Sequence, residues 1–218
     1  MLNHLYKIGI LLFAMQLFAC SNEYQEDKNN TKDLLVEGRV WHVGFFSLWP
    51  EYGKITSYTT ITIGKEFSFN GKTYRKLISK TQYSEDRIEV RNLFPMREEE
   101  GRIYKLDTLS GIESLDFDCN IQVGEKDPQG NVVSEIIEKE IFPNIKRKCF
   151  IFNYQEFDTD IREYIEGIGY LNGAFLHDPT WAGAGVVLIC CHNADGTFLY
   201  LNPKYECPER HSDYRMAR

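Results

Sequence analysis

The sequence lacks most of what would announce an activity. It has no G-x-S-x-G nucleophile elbow, no P-loop and no dinucleotide-binding glycine fingerprint, so the common signatures of ester hydrolysis, phosphate binding and hydride transfer are missing. It has no H-x-x-x-H, no H-E-x-x-H and no paired C-x-x-C, so no metal site is expected. It has no surplus of positive charge: 25 Lys and Arg face 32 Asp and Glu, a net −7 over 218 residues, which argues against a nucleic-acid partner. Six cysteines are too few for a disulfide-dominated miniprotein. No cofactor is expected. What remains is an ordinary globular composition, 43% hydrophobic and 26% charged.

The clearest positive signal is N-terminal. Asn3, His4 and Lys7 form a short polar region, and residues 8–18 are apolar except for Gly9 and Gln16. That run is too short to span a bilayer as a mature helix and has the length of a signal-peptide core. It ends in Leu17-Phe18-Ala19-Cys20, which resembles the lipidation signal of bacterial lipoproteins. The resemblance implies cleavage after residue 19 and acylation of Cys20. Two or more acyl chains anchor stably, at about 0.8 kcal/mol per buried methylene, where one chain is marginal. The membrane partner is thus expected to be reached through lipid alone, since the apolar run at 186–191 spans only six residues.

Cleavage removes one lysine and no acid, so the mature net charge is −8. Residues 20–33 are polar and read as a lipidated flexible tether. Glu23, Glu26 and Asp27 behind the cysteine resemble the acidic surface-export signal of Bacteroides-type lipoproteins, which implies an outer-membrane protein facing the cell surface. Residues 34–208 have the length of one domain, followed by a polar tail at 209–218.

Along that domain the hydrophobic period is two. Ile55, Ser57, Thr59, Ile61 and Ile63 alternate with Thr56, Tyr58, Thr60 and Thr62, a β-branched run suited to a pleated surface. Asn70-Gly71 between two alternating segments signals a type I′ hairpin, because both turn residues need positive φ. Leu115, Phe117, Cys119, Ile121 and Val123 form a stripe whose other face carries Asp116, Asp118, Asn120 and Gln122. The continuous apolar run 186–191 reads as a strand covered on both faces. About ten short strands with closely spaced turns predict an all-β fold, a single antiparallel sandwich or barrel-like domain. Only residues 135–139 and 160–166 could pass for helical turns.

Several segments resemble, in consistent order, those of secreted and lipid-anchored proteins of the Bacteroidetes. Residues 70–77 (NGKTYRKL) are similar to their G-K-x-Y-x-K-L hairpin, and residues 97–104 (REEEGRIY) to their R-E-E-x-G-x-x-Y turn. Residues 117–124 resemble an aromatic strand closing in V-G, and residues 164–169 (YIEGIG) resemble an I-E-G-I-G segment. Cys190-Cys191 with Asp195-Gly196 resembles the final hairpin. The resemblance implies location and an all-β fold, and carries no catalytic activity with it.

With Cys20 lipidated, five cysteines remain, and an odd count leaves a thiol unpaired in an oxidising envelope. Neighbours on a strand point to opposite faces, so only one of Cys190 and Cys191 can meet Cys207; Cys191 is the expected partner. Cys119 and Cys149 either pair across neighbouring strands or are two buried small hydrophobes. Cys191 next to His192 is not a thiol–base pair, for the same alternation reason. Among aromatics, Phe46 and Trp49 lie in the glycine- and proline-interrupted stretch 44–53, and Trp181 follows Pro179. They are candidate stacking platforms, the alternative being rings that plug an end of the fold. The expectation is a non-catalytic envelope binding module with a protein or glycan ligand; the competing reading is an envelope hydrolase acting on glycan or peptide.

Overall fold

The computed structural model describes residues 32–47, 54–84, 86–143, 145–153, 161–175 and 184–208. Cys20, Trp49 and Trp181, together with the expected signal peptide, most of the expected tether and residues 209–218, lie outside the described residues. The described chain from Lys32 onward belongs to one compact unit.

Thirteen strands and no helix make up that unit among the described residues. In chain order they are β1 (Val40–Ser47), β2 (Ile55–Phe69), β3 (Lys72–Ser84), β4 (Arg87–Asn92), β5 (Met96–Glu99), β6 (Arg102–Asp107), β7 (Ile112–Asp118), β8 (Val132–Phe142), β9 (Ile145–Asn153), β10 (Ile161–Ile165), β11 (Gly169–Tyr170), β12 (Ala184–His192) and β13 (Phe198–Leu201). Every pairing between them is antiparallel. Nine strands form a large sheet in the order β13-β12-β1-β2-β3-β5-β6-β7, with β4 paired to the far half of β3. The other four form a second sheet, β11-β10-β9-β8. The all-β prediction holds, with more strands than the expected ten because short pieces such as β5 and β11 show no alternation. Residues 135–139 and 161–165 are strand, not helix.

Turn chemistry explains the hairpins. Asn70 and Gly71 both adopt positive φ, 48° and 75°, the type I′ geometry that matches strand twist. Between β5 and β6, Glu100 and Gly101 repeat it at 50° and 76°.

The two sheets meet over an aromatic cluster. Phe117 of β7 is fully buried; its ring stacks on Tyr164 of β10 at 3.6 Å between centroids and meets Phe150 of β9 edge-on at 5.3 Å. Tyr170 of β11 packs edge-on against both Phe117 and Tyr164. Trp41 and Val43 of β1, Ile61 and Ile63 of β2, and Leu77 of β3 extend this core along the inner face of the large sheet.

Polar groups close the end where the domain begins. Leu34 and Leu35 are buried, and their backbone amides donate to the Glu98 carboxylate at 2.8 and 3.1 Å. Arg39, fully buried, donates to the carbonyls of Asp33, Leu34 and Gly167 and to Asn193 Oδ1. These fixed acceptors satisfy Nε and Nη1 and offset much of the cost of burying the guanidinium, although its Nη2 is buried without a hydrogen-bond partner among the described residues. Trp41 Nε1 donates to Ile168 O at 2.7 Å. The IEGIG segment therefore works through its main chain: Gly167, at φ 74°, and Ile168 present the carbonyls that hold Arg39 and Trp41.

A second hub joins strands of the large sheet. Arg97 of β5 clasps Glu113 of β7 with two hydrogen bonds, at 2.6 and 2.9 Å, and lies 4.0 Å over the Tyr104 ring. Lys72 and Tyr74 of β3 donate to the same carboxylate at 2.9 and 2.5 Å. With Arg97 foremost among these donors, the Glu113 carboxyl titrates at about 2 rather than 4.5. The GKTYRKL and REEEGRIY segments thus meet in one structural ion pair.

Candidate functional site

Strand alternation along β2 and β3 sorts their side chains. Inward-facing positions change character midway: Ile61 and Ile63 sit in the sealed core, Leu77 stands at the boundary, and Ser57, Thr59, Ser79 and Thr81 face a cavity of about 510 Å³. That volume lies within the usual range for small-molecule sites. Phe45 of β1, Leu93 and Phe94 after β4, Met96 of β5 and Phe175 after β11 supply apolar walls. Phe175 is held by an edge-on contact with Trp41, 4.9 Å between centroids. Exposed Tyr83, Arg91 and Phe94 form the rim, while Thr59, Ser79, Leu77 and Met96 are buried at the floor.

The hydroxyls are partly engaged with one another. Thr59 and Thr81 hydrogen-bond across the β2–β3 pair at 2.7 Å, and Ser79 donates to the Arg91 carbonyl. A ledge of small hydroxyls opposite aromatic and aliphatic walls suits an amphipathic ligand.

One charge pair lies in this mostly apolar space. Lys105 Nζ of β6 is 3.5 Å from Asp116 Oδ1 of β7, with only 7% of the Asp116 side chain exposed. A bulge puts Asp116 there. Ile103 pairs with Phe117 and Tyr104 with Leu115, so Asp116 is the extra residue and points inward together with Phe117. The sequence alternation placed Asp116 and Asp118 on one wet face. The bulge corrects this: Asp118 bonds Arg102 at 3.0 Å on the outside, while Asp116 lines the cavity.

Of the aromatic candidates, only Phe46 lies among the described residues. Residues 44–47, expected as the start of a loop, are strand, because β1 runs through Ser47. Phe46 therefore points to the outer face, where its ring lies over Gly185, so close that a Cβ on that glycine would come within 2.3 Å. Its neighbour Phe45 is the one that faces the cavity. Nothing in the sequence told the two apart, since the phase of β1 depends on its partners.

The disulfide is Cys190–Cys207, not Cys191–Cys207, its ends separated by 17 positions in the sequence. The cause is a second bulge: His42 pairs with Cys190 and Val43 with Leu188, leaving Ile189 as the extra residue. Ile189 and Cys190 consequently face the outer side, under the segment carrying Cys207, while Cys191 returns to the main core. Cys119, Cys149 and Cys191 are free thiols, so the Cys119–Cys149 bridge is not formed; Cys149 is a buried small side chain, whereas Cys119 is half-buried. Burial pushes all three thiols up to about 12, which leaves almost no thiolate at neutral pH. Cys149 donates to Glu163 at 3.4 Å.

Among the described residues, His42, Cys190 and Cys207 place their ligand atoms within 4.8 Å of one another. Both sulfurs are consumed by the disulfide, and His42 stacks on His192 and bonds Thr60. The grouping is a packed cross-link, not a metal centre as it stands.

No family profile, curated protein or solved structure matches this chain.

Proposed function

We propose that this protein is a non-catalytic binding module of the bacterial cell envelope, lipid-anchored at the outer membrane through Cys20 and facing the cell surface. It takes its ligand in the cavity on the inner face of β2, β3 and β4. One observation carries the reading: a preformed cleft of about 510 Å³, apolar on one wall and hydroxyl-lined on the other, and more apolar in its lining than the clefts of about 540 and 430 Å³ elsewhere on the domain. A concave, largely apolar cleft with a few convergent polar groups is the usual form of a small-molecule site. The anchoring half rests on the Leu17-Phe18-Ala19-Cys20 signal, and the oxidised Cys190–Cys207 pair suits an extracytoplasmic compartment.

Hydrolysis is the weaker reading. Glycoside cleavage needs two carboxyl groups flanking the bond, and the cavity lining contributes Asp116 alone, already paired with Lys105. The free thiols carry almost no thiolate at neutral pH, and Glu163, the carboxylate beside Cys149, is itself paired with Lys139.

Binding is tested with the fluorescent apolar probe N-phenyl-1-naphthylamine and the mature chain. Saturable binding is expected, with affinity falling at least tenfold in Thr81→Trp, whose indole fills the cavity from its half-buried wall. Equal binding by Thr81→Trp sinks the cavity as the site. The anchor is tested by membrane fractionation: Cys20→Ser is expected to remain an unprocessed precursor, and normal processing of that variant removes the lipoprotein assignment.

A further inference from the structure

The chemistry of the cavity narrows what it can hold; the inference rests on the binding role just proposed. Each cation at the site already has its own acid. Lys105 pairs with Asp116 at the floor, and Arg91 on the rim pairs with Glu89 at 2.6 Å. Lys105 also lies 6.0 Å from the Phe94 ring centroid, so its ammonium is held between a carboxylate and an aromatic face. The floor thus presents a donor and an acceptor side by side with no net charge.

A ligand carboxylate arriving at this floor would gain Lys105 and be repelled by Asp116 a few ångströms further on. An ammonium would gain Asp116 and be repelled by Lys105. Either would lose hydration in a partly buried site and recover only part of it. A hydroxyl or amide suffers neither penalty: it accepts from the lysine and donates to the aspartate. The apolar walls exclude a fully polar sugar as the body of the ligand, since they offer it few partners for its hydroxyls.

We infer that the cavity selects an uncharged amphiphile: an aliphatic or aromatic body against Phe45, Phe94, Met96 and Phe175, with a hydroxyl or amide head at the Lys105–Asp116 pair. The bulge in β7 is then a specificity device. Without it Asp116 would leave the cavity, and Lys105 would stand there as a bare cation that recruits acids.

Three competitors with the same chain separate the possibilities at pH 7: decan-1-ol, decanoate and decylammonium, each displacing the fluorescent probe. Decan-1-ol is expected to displace at a concentration at least tenfold lower than either ion. Asp116→Asn is expected to remove the repulsion and improve decanoate about tenfold relative to decan-1-ol. Lys105→Met is expected to do the same for decylammonium. Because Lys105→Met strands a buried carboxylate and can unfold the domain, Asp116→Asn, which leaves a partly exposed lysine, carries the decision. Displacement of probe from the wild type by decanoate and decan-1-ol at equal concentration overturns the inference while leaving the cavity a binding site. So does an unchanged ratio in Asp116→Asn. Failure of the probe itself to bind overturns both.

Discussion

Two halves of the same inner sheet face differ in what covers them. At one half, Ile61, Ile63 and Phe117 meet a second sheet and are sealed. At the other, Ser57, Thr59, Ser79 and Thr81 face a cavity with an exposed rim. The contrast is sharpest on β7, where the consecutive residues Asp116 and Phe117 both point inward, one to the cavity and one to the aromatic cluster. Burial of ring against ring is what holds the domain together. The Lys105–Asp116 pair, with a third of the lysine side chain still exposed, contributes little to stability.

The comparison breaks most directly at Phe117. Phe117→Ala is expected to cost about 4 kcal/mol, since it removes a fully buried ring from between the sheets. Phe94→Ala at the cavity rim, where the ring is 58% exposed, is expected to cost about 0.5 kcal/mol while weakening probe binding. Urea unfolding with the two variants side by side checks this, and similar losses would erase the distinction between the halves.

Next in size is the cross-link on the outer face. Cys207→Ser is expected to lose about 3 kcal/mol by freeing a 17-residue loop, with probe binding unchanged because the bond lies across the sheet from the cavity. Peptide mapping without reduction should recover Cys190 joined to Cys207 and Cys191 free. Recovery of Cys191 joined to Cys207 would remove the β12 bulge and its consequences.

A smaller effect is expected at Glu113, which ties β3, β5 and β7 together. Glu113→Gln should cost about 2 kcal/mol at pH 7. The folded-state value near 2 lies below the ordinary 4.5, so this contribution is complete above about pH 4.5 and disappears as pH falls toward 2. Stability of wild type and variant should therefore converge in acid; a gap of constant size would show that Glu113 acts by packing and not by charge.

The smallest effect belongs to the hydroxyl ledge. Thr59→Val removes the 2.7 Å bond to Thr81 at nearly constant volume and is expected to cost about 1 kcal/mol. Displacement of the probe by decan-1-ol should survive it, because the head group is read at Lys105 and Asp116. Loss of that displacement would move the polar end of the ligand to the threonines.

Much of the fold was legible in the chain. The Thr-rich run of β2, the Asn70-Gly71 turn and the alternation of β3 are local signals, and each became the predicted element. The site was much less so. Its residues come from β1 through β7 and from Phe175, and singly each is an unremarkable strand or loop position. The motif residues that looked most distinctive turned out to be architectural: Glu98 holds the first buried leucines, Arg97 and Tyr74 meet on Glu113, and Gly167 holds Arg39. Phe46 drew attention as an aromatic near glycine and proline, yet Phe45 is the ring in the cavity. Parity along a strand depends on its neighbours, and two bulges shifted it where the sequence showed a clean stripe in one case and an unbroken apolar run in the other.

By itself the sequence determined the all-β class and the turns, because positive φ at Asn-Gly and period-two β-branched runs are properties of a few adjacent residues. Tertiary structure alone decided which cysteine meets Cys207, that Asp116 turns inward beside Lys105, and that half of one sheet face stays open. Those outcomes depend on register and bulges set by pairing between strands distant in the chain, where one inserted residue reverses the face of every side chain after it.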